Sequence, residues 1–164
     1  MNNQKVIIIG AGLSGLMLAY ILKQKGLQSL ILEANSRIGG RIDTITGSTG
    51  VTLEMGATWF GKQHPTLVAL LDNLGLSYFK QHTKGTSLFE TMSFVPPQKF
   101  EIPDAEEPSY RIEGGTTILI KELTNAIGLE NIKTNAQVVS IKEIGQHLEI
   151  RDADGNRYLA DKVI

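Results

Sequence analysis

Cysteine is absent from the 164 residues. That absence excludes disulfides, thiolate zinc sites, iron–sulfur clusters and cysteine nucleophiles together. A disulfide-stapled fold goes with them, though secretion as such does not. A charge excess is also missing. The 16 Lys and Arg against 17 Asp and Glu leave a formal net charge of −1, so the chain lacks the basic excess of a nucleic-acid binder and the charge of an acidic disordered tail. No apolar run reaches the roughly 20 residues of a membrane helix. The nearest approach, Val6 to Leu22, is interrupted by Gly10, Gly12, Ser14 and Gly15. It follows a lysine as a signal peptide would, but Lys23-Gln24-Lys25 stands where the small residues of a cleavage site belong. We read it as a strand, a glycine turn and a buried helix of a cytoplasmic protein. The three histidines, His64, His82 and His147, form no H-x-x-x-H or H-E pair, so no metal site is expected.

Apolar residues make up 41% of the chain, enough for a packed core, and glycine is the abundant type at 17 residues. Lys5 to Ile9 is a β-branched run without alternation, the pattern of a strand buried on both faces. Leu13 to Lys25 reads as a helix stopped by Gly26, and Gln28 to Glu33 as a second buried strand. Together they form a βαβ unit, whose crossover is expected to be right-handed. Asn35 to Gly50 reads as loop or short extended structure. Further helices are expected over His64–Leu74 and Thr116–Ile127, each stopped by a glycine. Between them, 77–109 mixes short strand-like pieces with prolines and an acidic patch of Glu101, Asp104, Glu106 and Glu107, read as a solvated loop. Strands over Gln137–Glu143, His147–Arg151 and Asn156–Leu159, with turns at Gly145 and Asp154-Gly155, make a three-stranded meander. Asp161 to Ile164 reads as the start of one more buried strand, so the chain is expected to be a fragment of a longer one. The fold class is α/β: a Rossmann-like domain with a parallel sheet and a three-stranded β-meander, apparently truncated at the C-terminus.

The strongest local feature is Gly10-Ala11-Gly12-Leu13-Ser14-Gly15. A G-x-G-x-x-G string is weak evidence alone, but this one follows a buried strand and opens a helix, where dinucleotide binding needs it. Gly10 permits the tight turn, Gly12 lets a pyrophosphate approach the backbone, and Gly15 lets helix and strand pack closely. The free N–H groups near Leu13 and Ser14 then face the phosphates, with the helix dipole behind them. Glu33 closes the second strand at about the spacing expected of the acid that bonds an adenosine ribose. Its charge disfavours a 2′-phosphate and therefore NADP. These features do not separate NAD from FAD.

Glu33-Ala34-Asn35-Ser36-Arg37-Ile38-Gly39-Gly40-Arg41 resembles the E-A-x-x-R-x-G-G-R signature of the flavin-containing amine oxidase (monoamine oxidase-like) family. Physically, Gly39 and Gly40 allow a close backbone approach to the pyrophosphate, and Arg37 and Arg41 can neutralise it. The resemblance extends to Gly56-Ala57-Thr58-Trp59, similar to the segment lying along the flavin ring, where Trp59 is either a cavity wall or core. It extends also to Gly114-Gly115 followed by Leu119, to Val138 at the strand whose backbone meets adenine, and to Asp161-Lys162-Val163-Ile164.

The resemblance implies the FAD-binding N-terminal portion of an enzyme that oxidises an amine C–N bond with oxygen as acceptor. The FAD contacts it implies are Gly10, Gly12, Leu13, Ser14, Gly15, Glu33, Ala34, Arg37, Gly40, Arg41, Gly56, Ala57, Thr58, Trp59 and Val138. It places 1–76 and 110–164 in a discontinuous FAD-binding domain, with 77–109 a short remnant of the substrate domain. Two departures stand out: the substrate region is far shorter than in the family, and Asn35 replaces a frequent arginine. No catalytic residue is assigned, because the family's flavin-facing lysine and aromatic cage lie in the C-terminal part. The fragment itself is therefore expected to be inactive. Its implied partners are an amine-like small molecule in the parent enzyme, with no nucleic acid and no membrane span, and self-association through an exposed β edge. A carotene-desaturase-like or protoporphyrinogen-oxidase-like flavoenzyme, a non-catalytic nucleotide-binding module and an NAD-linked dehydrogenase are the alternatives. Asp152-Ala153-Asp154-Gly155 lacks the spacing of a calcium loop and reads as a hairpin turn.

Overall fold

The computed structural model describes residues 3–103 and 107–164. Asp104 and Glu106 of the acidic patch lie outside the described residues. In chain order the elements are β1 (Asn3–Ile9), α1 (Leu13–Gln24), β2 (Ser29–Leu32), β3 (Thr44–Thr46), β4 (Thr52–Glu54), α2 (Pro65–Asn73), β5 (Tyr78–Lys80), β6 (Gly85–Phe89), β7 (Gln98–Ile102), β8 (Tyr110–Ile112), α3 (Thr117–Ile127), a 3-10 turn (Leu129–Asn131), β9 (Ile132–Lys133), β10 (Val138–Ile144), β11 (His147–Asp152) and β12 (Arg157–Val163). They gather into two units, 1–57 with 114–164, and 58–113. The second unit includes α2.

The first unit is built on a six-stranded mixed sheet in the order β10-β11-β12-β1-β2-β9. β12, β1, β2 and β9 run parallel, whereas β10, β11 and β12 are antiparallel neighbours. The unbroken apolar run of β1 is explained by burial on both faces, with Ile7 and Ile8 at 0% and 2% exposure. Ile9, 42% exposed, ends the strand at the mouth of a cavity described below. α1 and α3 carry Leu16 and Ala19, and Leu119, Ile120, Leu123 and Ile127, all buried at helical spacing. Each such leucine or isoleucine stabilises the fold by about 1.5–3 kcal/mol relative to exposure. The Lys23 ammonium donates to the Ile127 carbonyl at 2.9 Å, tying the end of α1 to the end of α3.

The meander is not a separate layer, and Asp161–Ile164 does not begin a new strand. No glycine or proline interrupts Arg157 to Val163, so the segment is one strand. Ala160, fully buried, pairs with Leu148 of antiparallel β11 on one side and Gln4 of parallel β1 on the other. This last strand is therefore interior; the edges of the sheet are β10 and β9. The turn from Asp152 to Asn156 is a hairpin connection. The Asp152 carboxylate accepts from the Asn156 backbone N–H and side-chain amide and from the Tyr158 hydroxyl, each at 2.8 Å.

In the second unit Phe60, Tyr78 and Tyr110 form a ring cluster with centroids 5.3–5.9 Å apart. Trp59 is 63% exposed, so it is not core. The hairpin β6–β7 presents Leu88, Phe89, Phe94 and Phe100 to solvent. Among the described residues no helix is long and apolar enough to cross a membrane.

Candidate functional site

The end of β1, the start of α1 and two loops enclose a cavity of about 990 Å³. Gly10, Gly12, Leu13, Ser14, Gly15, Arg37, Gly40, Arg41, Gly56 and Ala57 line it, ten of the residues named from the sequence. Gly39, which the signature pairs with Gly40, lines it too, as do Ile9, Ile42, Asp43 and Met55, which the sequence did not single out. Ile42, Asp43 and Met55 carry no motif signal; they arrive because the backbone N–H of Met55 bonds the Asp43 carbonyl at 2.8 Å.

The three glycines of the first turn serve different physical needs. Gly10 has φ +101, which side chains rarely adopt. A Cβ on Gly15 would stand 2.1 Å from the Gly10 carbonyl oxygen. Gly12 has ordinary extended backbone, φ −74 and ψ 175, and a Cβ there would meet nothing within 4 Å. Neither strain nor packing in the chain demands glycine at 12. Gly12 lines the cavity and the space beside its backbone is open, so the position fits an incoming ligand. The first turn of α1 has no side-chain cap bond and no acidic residue, which leaves its amides and the positive end of the dipole for an anion.

A second loop is stitched beside the first. The Gly39 N–H donates to the Ala11 carbonyl at 2.8 Å, and a Cβ on Gly40 would lie 3.3 Å from the Gly12 Cα. Arg37 braces this loop from within, donating to the carbonyls of Gly40 at 2.8 Å and Ile42 at 3.2 Å, with the Asp43 carboxylate 3.9 Å away. Arg41 is exposed on the cavity rim. The strip from Met55 to Ala57 forms another wall. Gly56 is in such close contact with the Arg41 carbonyl that a Cβ would clash, and the Ala57 N–H bonds that same carbonyl at 3.2 Å.

Glu33 does not line the cavity. Its buried carboxylate accepts the Ala11 N–H at 2.7 Å through one oxygen, and the Asn35 backbone and side-chain N–H groups, both at 2.8 Å, through the other. Burial alone would raise its pKa. The hydrogen bonds from Asn35 and Ala11, with the charge of Arg37, outweigh burial and hold it below the ordinary carboxylate range. Asn35 thus completes the carboxylate's hydrogen bonding in place of an arginine. Ala34 is exposed and lies off the cavity lining. Val138 opens β10 and packs on the sheet core beside Ile7 and Leu32, not on the glycine-loop cavity. Thr58 and Trp59 belong to the second unit. The Thr58 hydroxyl is buried there without a partner among the described residues.

Residues 13–90 match the family of flavin-containing amine oxidoreductases. The chain is 36% identical over 109 residues to a probable flavin-containing monoamine oxidase A of Dictyostelium discoideum, covering 66% of this chain and 24% of that protein. It is 38% identical over 84 residues to putrescine oxidase of Kocuria rosea, covering 51% of this chain and 17% of that one. The chain thus matches a quarter or less of the length of these relatives. Cyclohexylamine oxidase from Brevibacterium oxydans IH-35A shares the fold, with a TM-score of 0.84 at 17% identity over 99% of this chain and 57% of that one. A strand, an uncapped glycine turn and a stitched E-A-x-x-R-x-G-G-R loop therefore meet in a chain that is similar, over residues 13–90, to the N-terminal portion of the FAD-containing amine oxidase-like family.

Proposed function

We propose that the chain is the FAD-binding portion of an enzyme that oxidises the C–N bond of a small amine, with oxygen as the final acceptor. The observation that carries this reading is Gly12, open to the cavity at the uncapped start of α1. FAD, when bound, supplies the two-electron acceptor; the protein supplies orientation and electrostatics. The amides of Leu13, Ser14 and Gly15 hold the phosphates, and Arg41 neutralises their charge. Glu33 holds the first loop through Ala11 and offers its remaining acceptor capacity to the adenosine ribose. Gly56, Ala57, Thr58 and Trp59 follow the flavin ring, with Ala34 and the backbone of Val138 towards the adenosine. Residues 77–109 stand as a reduced substrate segment. The catalytic acid or base lies outside this chain, which by itself turns over no amine. The compartment we propose is the cytoplasm, supported by the folding of Val6–Leu22 as a strand and helix of the nucleotide-binding unit.

Visible absorbance of the purified chain, before and after adding FAD and with NADH as control, tests this reading. The expected result is a bound flavin spectrum, released on denaturation and identified as FAD. A folded chain that takes up NADH and not FAD would sink it. Copies are also expected to associate through edge strand β10, where Val139 and Ile141 are exposed. A monodisperse monomer by light scattering counts against that.

A further inference from the structure

The start of α3 is capped from a distance. Its N-cap residue, Thr116, makes no side-chain cap bond to its own helix. The acceptor comes instead from Glu54 at the end of β4, whose Oε1 takes the Thr116 backbone N–H at 2.7 Å and the Thr116 hydroxyl at 3.1 Å. Oε2 accepts the Thr44 hydroxyl at 2.7 Å. Thr44 and Thr117 then bond reciprocally: the Thr117 N–H donates to Thr44 Oγ1 at 3.0 Å, and the Thr44 N–H to Thr117 Oγ1 at 2.9 Å. Both strands of the hairpin β3–β4 are thereby fastened to one helix end, where a carboxylate also meets the positive end of the dipole. Gly115, at φ +104, admits this approach; a Cβ there would lie 2.5 Å from the Thr44 methyl and 3.0 Å from that of Thr52.

Glu54 does not itself line the cavity, yet the next residues, Met55, Gly56 and Ala57, are one of its walls. That wall's own attachments are two backbone bonds to Asp43 and Arg41, on the loop that also borders the cavity. Outside this loop, the hairpin leading into the wall is held by the Thr44–Thr117 pair on β3 and by Glu54, the residue directly before Met55. We propose that Glu54 is a positioning residue, which locks the hairpin β3–β4 to the start of α3 and so fixes the Met55–Ala57 wall where it meets bound FAD. The proposal rests on the FAD reading above for its ligand, but not for its mechanical part.

The test compares Glu54→Ala, Glu54→Gln and a control of lowered stability away from the site, Ile150→Val in the meander. Amide hydrogen exchange of the ligand-free chain reads the anchor, and spectral titration with FAD reads its consequence. In Glu54→Ala the amides of Met55 and Ala57 should exchange about tenfold faster, while that of Ala11, held by Glu33, does not change. FAD affinity should fall about tenfold, with an altered spectrum of the flavin that does bind. Glu54→Gln keeps an acceptor for Thr116 and should recover most of both effects. Unchanged exchange at Met55 and Ala57 overturns the proposal. So does an equal loss of FAD affinity in Ile150→Val, because general stability would then explain it. A wild-type chain that takes up NADH and not FAD overturns the cofactor reading, and the exchange result still decides the anchor.

Discussion

Replacing Gly12 with glutamate is expected to weaken FAD binding at least ~100-fold, worth about 2.7 kcal/mol, with little change in the fold. The backbone at 12 is extended and the space above it is open, so the folded chain accommodates a side chain without strain or collision. The new carboxylate would occupy the cavity at the uncapped helix start, filling space meant for a phosphate and repelling its charge. Gly12→Ala should show the steric part alone and lose less. The contrast with Gly15 makes the prediction specific: there a Cβ would strike the Gly10 carbonyl, so even alanine should lower the melting temperature. Spectral titration beside thermal melting separates the two. If Gly12→Glu binds FAD like the wild type, the phosphates do not lie over this turn.

The second large effect belongs to Glu33. Glu33→Ala leaves the buried N–H of Ala11 and the part-buried N–H groups of Asn35 without their acceptor. Each unmade bond costs about 1–3 kcal/mol, and for a chain of this size 1 kcal/mol moves the midpoint by roughly 2–4 °C. A fall of about 5–15 °C in melting temperature is expected, with Glu33→Gln intermediate because its carbonyl still accepts. The difference between wild type and Glu33→Gln should depend on pH. Burial favours the neutral carboxyl, but the bonds from Asn35 and Ala11 prevail, so the folded-state pKa lies below the ordinary value of 4.5. A depressed pKa gives stability that is fully present above the unfolded value and is lost as pH falls through the folded one. The wild-type advantage over Glu33→Gln should therefore hold at pH 7 and shrink as pH falls below the ordinary value of 4.5 and through the lower folded-state value. An advantage that persists unchanged at low pH would mean that the charge of Glu33 is not what the loop uses.

Much of this was legible in the chain because it depends on short-range rules. The β-branched run of β1 states burial on both faces, Gly10 to Gly15 states a turn into a helix, and Gly26 states where α1 stops. A reading by motif located ten cavity residues but could not give them their partners. Arg37 reads as a cation for phosphate, whereas its guanidinium is engaged with the loop's own carbonyls. Glu33 reads as a ribose ligand, yet its bonds in the structure go to Ala11 and Asn35. In both cases the residue type and spacing are compatible with ligand and loop alike, and the loop partners become visible only in the distances.

The amino-acid sequence by itself determined the α/β class, the glycine turn between strand and helix, and the resemblance to flavin-containing amine oxidases, since periodicity, glycine placement and a contiguous signature are local properties. Tertiary structure alone decided what comes from far along the chain. Thr44 has no recognisable role in the sequence; it becomes half of a reciprocal pair with Thr117, across a separation of 73 residues. Asp161 to Val163 looks like a new strand, and becomes the parallel half of β12 because β1 offers it a partner. Glu54 stands beside no motif glycine of the first loop, and its acceptor atoms find the start of α3 only when the hairpin packs there. Hydrogen bonds and close approaches of this kind are set by which surfaces meet, and no window of neighbouring residues encodes that meeting.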